Sequence, residues 1–268
     1  FPPEEAVRAT ALFNFVGFSG RMLGTGVTGT LNEIGGYPLA FFVASGTAGV
    51  AIVVMLVCRE QARPPHPPSL GSLGRLVTRR DVLLPSILAS VGPSAAFATT
   101  FGFFPILARQ LGASDVMQSG LVTFYVALTM VSSLLVTALV RRFGKQMLLH
   151  ASFAFTALGI AVAAVAQSLL LVFVAQALLG LSFGAGYAVM MGMSIERVEE
   201  RQRTTAMGLF QALYSIGMFA GPWLSGILAE AIGIRPMLGA TAIICLVPGV
   251  LLTALLDERR QAVSEGRS

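Results

Sequence analysis

Eight long apolar blocks, parted by short polar stretches, run along the chain. They are Ala9–Leu31, Tyr37–Cys58, Val82–Ala108, Val116–Val140, Met147–Gln167, Leu169–Met193, Thr205–Glu230 and Pro236–Leu256. A bilayer core of about 30 Å needs about 20 apolar residues in helical form, and each block reaches that length. None alternates polar and apolar at every second residue, as barrel strands would. The pattern predicts eight membrane-crossing helices.

One block is repeated. Ala9 to Gly36 lies without a gap over Ala206 to Gly233, with identical pairs that include Leu12/Leu209, Phe13/Phe210, Gly20/Gly217, Gly24/Gly221, Gly29/Gly226, Glu33/Glu230 and Gly36/Gly233. A repeat of that length made of membrane helices predicts two similar halves, an architecture found mainly in transporters. Four spans separate the linker at 59–81 from the second copy, so equal halves would place four further spans before the first. The sequence therefore reads as helices 5 to 12 of a twelve-helix protein, an expectation to which Phe1 at its start adds. The FPPEEAVR start lacks the basic-then-apolar order of a signal peptide.

Composition supports lipid as the solvent. Apolar residues make up 55% of the chain, charged ones 12%, and mean hydropathy is +0.78. A water-soluble domain carries about 25% charged residues. The net charge of +5 and the pI of about 9.9 raise the question of nucleic-acid binding, but the position of the charges answers it. Fifteen Lys and Arg fall in the loops of one side: Arg8; Arg59, Arg63, Arg75, Arg79 and Arg80; Arg141, Arg142 and Lys145; Arg197, Arg201 and Arg203; Arg259, Arg260 and Arg267. The other side has Arg109 and Arg235. The positive-inside rule makes the richer side cytoplasmic and puts both ends of this chain inside. Seventeen arginines to one lysine hint at a GC-rich bacterial genome, hence a bacterial inner membrane.

The expected fold class is an all-α polytopic membrane bundle of two pseudo-equivalent six-helix halves, the first truncated so that 8 of 12 helices are present. Residues 1–58 would be the last two helices of the N-terminal half. Residues 59–81, rich in Pro, Gly and Arg, would be a cytoplasmic linker. Residues 82–257 would form the C-terminal half and 258–268 a cytoplasmic tail.

Three local signatures resemble the major facilitator superfamily of two-times-six-helix transporters. The basic turn Val140-Arg141-Arg142-Phe143-Gly144-Lys145-Gln146 resembles the family's turn between helices 8 and 9, with Arg141 where an acid is usual and Thr137 in place of the leading glycine. Arg203-Thr-Thr-Ala-Met-Gly-Leu-Phe-Gln211 resembles the cytoplasmic start of helix 11. The series Gly217, Gly221, Pro222, Gly226, with its counterpart Gly20, Gly24, Thr25, Gly29, resembles the glycine–proline motif of family exporters. Thr25 stands where that motif has proline. Small residues at this spacing let helix backbones approach closely.

The resemblance implies a secondary transporter of a small organic solute working by alternating access, with efflux, as an antiporter, favoured over an uptake symporter for a sugar or metabolite. A truncated, non-transporting membrane protein or scaffold is the rival of another class. The implied partners are the lipid bilayer and a small-molecule substrate, with protons the coupling ion it allows; the protein is expected to be a monomer that binds no nucleic acid and needs no cofactor.

Candidate chemistry is sparse. Arg21 is the one ionisable side chain near mid-span, where an unpaired charge costs several kcal/mol or more. It reads as a ligand for an anionic group, a counter-charge in a proton relay, or half of a structural ion pair. The acids Glu33, Glu60, Asp81, Asp115, Glu196, Glu230 and Asp257 all sit at span ends, poor places for a proton carrier exposed alternately to both sides. Any proton-carrying carboxylate would then lie in the helices expected before Ala9, or the protein is not proton-coupled. Polar and aromatic residues recur at helical spacing: Ser86, Ser90, Ser94, Phe97, Phe101 and Phe104; Gln118, Tyr125, Thr129 and Ser132; Gln176, Phe183, Tyr187 and Met191; Gln211, Tyr214 and Met218. By the resemblance they fall on cavity-lining helices; interhelical packing is the alternative. From them Ser90, Ser94, Phe101, Tyr125, Thr129, Gln176, Tyr187, Gln211 and Tyr214 join Arg21 as candidate substrate contacts. Cys58, Cys245, His66 and His150 are scattered, which points away from metal or disulfide chemistry. No motif of a soluble enzyme occurs, so the chain is not expected to be an enzyme.

Overall fold

A computed structural model describes the backbone of residues 3–58, 74 and 76–265, with the side chains of 16–58, 74, 76–92, 94–247, 249 and 251. Among these residues there is no strand. The helices are α1 (Pro3–Val57), α2 (Arg80–Phe97), a π-helical turn (Ala98–Phe103), α3 (Phe104–Gln110), α4 (Asp115–Phe143), α5 (Lys145–Ala164), α6 (Leu169–Glu196), α7 (Glu200–Ile232) and α8 (Ile234–Glu265). Among the described residues six stretches are long and apolar enough to cross a membrane: Val16–Val57, Arg80–Gln110, Asp115–Phe143, Lys145–Ala164, Leu169–Glu196 and Glu200–Ile232. Ile234–Val247 is a shorter apolar helix. Most of the linker predicted at 59–81, and Arg8 before α1, lie outside the described residues or side chains.

The long first helix is broken where the sequence places the gap between its first two spans. Gly36 has φ 68° and ψ −177°, a backbone region that side chains with a Cβ rarely adopt. Its repeat partner Gly233, at φ 89° and ψ 161°, separates α7 from α8. Both copies of the repeat thus end on the same kind of glycine turn. Gly144, at φ 78°, makes the basic turn between α4 and α5 in the same way, its N–H bonded to Val140 O at 2.9 Å.

Helix α6 is the hub. It packs against α4, α5, α2 and α7, while α1 packs on α4 and α8 packs on α5. Small residues set these distances. A Cβ built on Gly184 would stand 2.1 Å from Ser132 Oγ, one on Gly180 2.8 Å from Tyr125 O, and one on Gly159 2.3 Å from Leu179 Cδ1. In lipid there is no hydrophobic drive between helices, so such close packing and interhelical hydrogen bonds hold the bundle. Ser132 and Ser133 donate to the carbonyls of Gly180 and Gly184 across the α4–α6 seam.

Charges gather at the two ends. Lys145 Nζ meets Glu196 Oε1 at 2.7 Å, tying α5 to α6. Arg79 clasps Asp81 through Nε and Nη2 and also donates to Arg197 O at 2.9 Å, pinning the start of α2 to the α6–α7 turn. Arg141 and Arg142 are exposed at this same end, Arg142 5.4 Å from the centroid of the Phe143 ring. Leu76, inside the segment read as a polar linker, is fully buried with Val82, Val198 and Ala206. At the opposite end Arg235 donates to the carbonyls of Ala164 and Ala166 at the end of α5, at 3.1 and 2.6 Å.

Candidate functional site

Seven rings from α2, the π turn, α4, α6 and α7 form one connected network halfway along the bundle. Phe183 and Tyr187, one turn apart on α6, stack at 5.7 Å with 8° between planes. Tyr187 meets Tyr214 at 5.2 Å and Phe210 at 5.7 Å on α7. Phe97 touches Phe101, Phe183 and Tyr214. Tyr125 on α4 closes the network against Phe101 at 5.9 Å and Phe183 at 6.0 Å. Edge-to-face and offset pairs of this kind each add about 0.5–1.5 kcal/mol beyond their buried area. The wall is rigid and apolar, with hydroxyls set into it.

Two of those hydroxyls face open space. Gln211 Nε2 donates to the Tyr187 hydroxyl oxygen at 2.9 Å, and the Gln211 side chain is exposed. Tyr214 lies half-buried beside them. Arg21 on α1 is exposed and lies in the vicinity of the phenols of Tyr125, Tyr187 and Tyr214. Its side chain has no hydrogen-bond or ion-pair partner among the described residues. Five of the expected contacts, Phe101, Tyr125, Tyr187, Gln211 and Tyr214, are therefore brought together opposite Arg21.

The other expected contacts lie elsewhere. Gln176 is fully buried behind the wall, where Thr100 donates to its Oε1 at 3.4 Å and its Nε2 is left without a partner. Thr129 is buried beside the Tyr125 phenol but donates to Gly180 O at 3.3 Å, and the Tyr125 hydroxyl is unpaired. Ser90 and Ser94 bond back to their own helix, to Ile87 O at 2.8 Å and Val91 O at 2.7 Å. Their carbonyls press on α7: a Cβ on Gly217 would stand 2.1 Å from Ser90 O and one on Gly221 2.4 Å from Ser94 O. These serines mark the α2–α7 seam and a crevice of about 300 Å³ beside it that Cys245 also lines.

The glycine series divides. Gly217 and Gly221 are contact glycines, and so is Gly29, where a Cβ would stand 2.4 Å from Asp115 O. Cβ atoms on Gly20, Gly24 and Gly226 would meet nothing within 4 Å. Pro222 lies exposed within α7.

Sequence reading missed the π turn. Pro105 stands two residues after it, has no N–H, and its ring conflicts with the carbonyl four residues back, Phe101 O. Widening the helix over Ala98–Phe103 accommodates that ring, and the Phe104 N–H reaches Thr99 O, five residues back. Single-turn π segments are frequent at functional sites. Pro105 was the available signal, and it also explains why Thr100 meets Gln176.

Just before the Gly36 break a polar zipper joins α1 to α4. Thr25 and Thr123 hydroxyls meet at 2.9 Å, the Gly29 N–H donates to Ser119 Oγ at 3.2 Å, Asn32 donates to Asp115, and the Val116 N–H donates to Glu33 Oε1 at 3.2 Å. It borders a cavity of about 230 Å³. No group of His, Cys, Asp and Glu among the described residues is arranged to hold a metal.

Long apolar helices knit through glycine seams and intramembrane hydroxyls define an integral membrane protein of the all-α polytopic class. Residues 87–268 match the Major Facilitator Superfamily, and the chain belongs to that family. It is a membrane transporter, set in a lipid bilayer and acting on a small molecule. No curated protein matches the chain.

Proposed function

We propose that the protein is a secondary active transporter that exports a small, semi-polar organic solute by alternating access. The observation that carries this reading is the seven-ring wall with Tyr187, Gln211 and Tyr214 on its open side and Arg21 across from it. Its members come from α2, the π turn, α4, α6 and α7, elements that a rocking motion would displace relative to α1. A solute stacked on the wall would be held without deep burial of its own charge.

In this reading Phe101, Tyr125, Tyr187, Gln211, Tyr214 and Arg21 contact solute, Gln176 and Thr129 support the wall from behind, and Ser90 and Ser94 belong to the α2–α7 seam. The series Gly217, Gly221, Pro222 and Gly226 favours export by its resemblance to the exporters' glycine–proline motif, and of these Gly217 and Gly221 form the close seam with α2. Protons are the coupling ion the family resemblance allows, although the acids at the span ends are poorly placed to carry them; the monomer is the working unit. The end bearing Arg79, Arg141, Arg142, Lys145 and Arg197 faces the cytoplasm of a bacterial inner membrane.

The test is counterflow in proteoliposomes across a panel of labelled aromatic and aliphatic solutes. Saturable exchange of at least one aromatic solute, reduced about tenfold or more in Tyr214→Ala, supports the reading. Equal exchange by the native and Tyr214→Ala proteins, or none for any solute, overturns it.

A further inference from the structure

The guanidinium of Arg21 stands in a membrane span without a partner among the described residues, and its neighbours fix where it points. Phe18 and Met22, beside it on α1, pack against the core that contains Tyr125 and Phe210. Thr25, one turn on and on the same helix face, is locked to Thr123 of α4 by the 2.9 Å hydroxyl contact. Two residues beyond Thr123 lies Tyr125, whose ring borders Phe101 and Phe183. Arg21 is thereby held beside the face of α1 that meets α4, in the vicinity of the Tyr125, Tyr187 and Tyr214 phenols.

The carboxylates nearest on the chain are committed elsewhere. Glu33 accepts from the Val116 N–H, and Asp115 accepts from Asn32 and Gln118, all at the helix ends. The repeat sharpens the contrast: Met218 occupies the equivalent position in the second copy, so the helix has no packing need for a cation there. An uncompensated charge in a span is costly and marks function.

The wall supplies what an anion needs besides the charge. Gln211 Nε2 donates to the Tyr187 oxygen, which leaves the Tyr187 hydroxyl proton free to donate. The Tyr214 hydroxyl makes no hydrogen bond among the described residues. A guanidinium binds a carboxylate through two parallel N–H donors and stacks readily on aromatic faces.

We infer that the site takes planar aromatic carboxylates, the carboxylate on Arg21 and the phenol hydroxyls, the ring against the Phe97, Phe101 and Phe183 side of the wall. This deepens the transport reading above and rests on the same wall.

The experiment uses the full chain in lipid nanodiscs and three probes: cinnamate, cinnamyl alcohol (the same ring without charge) and hexanoate (the charge without the ring). Cinnamate is expected to bind at least tenfold tighter than either of the others. In Arg21→Met, which copies Met218 of the repeat, the preference for acid over alcohol should be lost. Arg21→Lys should retain part of the preference. Equal binding of acid and alcohol by the native chain, equal binding of cinnamate and hexanoate, no cinnamate binding at millimolar concentration, or a preference surviving in Arg21→Met would each overturn the inference. The native three-probe comparison decides the matter even where a variant does not fold. Flux in proteoliposomes separates the two readings: cinnamate binding without flux overturns transport alone, and flux of the alcohol without preference for the acid overturns this inference alone.

Discussion

Gly217 on α7 lies so close to Ser90 on α2 that a Cβ built on the glycine would stand 2.1 Å from the serine carbonyl oxygen. Neither backbone can yield without opening the seam, because Gly221 repeats the contact one turn later on Ser94. Gly20 and Gly24 hold the equivalent places in the repeat, yet a Cβ on either meets nothing within 4 Å. Identical sequence positions therefore carry opposite tolerances. Gly217→Ala should destabilise the protein by about 1–3 kcal/mol through overpacking. Gly20→Ala should be neutral or stabilise by up to about 1 kcal/mol, since alanine is the better helix former. Thermal unfolding in detergent, read by loss of the monomer peak, checks both. Equal destabilisation at the two positions would contradict the seam.

Pro105 offers a second test, because it holds the π turn open. Pro105→Ala restores an N–H and removes the clash with Phe101 O, so residues 98–110 can close into a plain α-helix. The extra residue in the turn would be taken up by a rotation of about 100° of one segment against the other. Phe101 would leave the aromatic wall and Thr100 would leave Gln176. Counterflow should fall several-fold while the thermal midpoint stays level or rises. Unchanged counterflow would show that the π turn does not position the wall.

The same extra residue explains what sequence periodicity misjudged. Counted in steps of three and four, Ser86, Ser90, Ser94, Phe97, Phe101 and Phe104 lie on one stripe. The π turn breaks that stripe: Phe104 is fully buried and Phe101 is 45% exposed. Ser90 and Ser94 end on the α7 seam while Phe101 joins the rings. Tyr187, Gln211 and Tyr214 were legible because α6 and α7 stay regular there, so spacing translates directly into a face. The glycine turns at Gly36 and Gly233 were legible for a simpler reason, since a glycine pair closing both copies of a repeat marks a shared backbone break. The second-copy seam was readable from its glycine spacing, but spacing alone says nothing about which glycines find a neighbour. Arg21 was visible as a mid-span charge, whereas its position near three phenols depends on how α1 packs on α4.

Tyr187→Phe isolates one hydrogen bond of the wall. The ring and its stack on Phe183 remain, and only the oxygen that Gln211 Nε2 reaches at 2.9 Å is lost. Gln211 is exposed, so water can take over its amide and stability should change by less than about 0.5 kcal/mol. Cinnamate affinity should fall about tenfold or more, the worth of one hydrogen bond to a charged group. Competition binding with cinnamate measures it. A large drop in thermal midpoint would instead make the Tyr187 hydroxyl a structural element.

The two cysteines report orientation without any engineered label site. Cys58 is exposed at the end of α1, and Cys245 is buried at 1% exposure on α8. A membrane-impermeant maleimide needs an accessible thiol, so Cys245 should stay unmodified until the protein is denatured. Cys58 directly precedes Arg59 and shares its side of the membrane, which the positive-inside rule makes cytoplasmic. Intact cells should therefore give no labelling, inside-out vesicles should label one thiol per chain, and Cys58→Ser should abolish that signal. Labelling of Cys58 on intact cells would reverse the orientation and, with it, the direction in which the aromatic wall faces its solute.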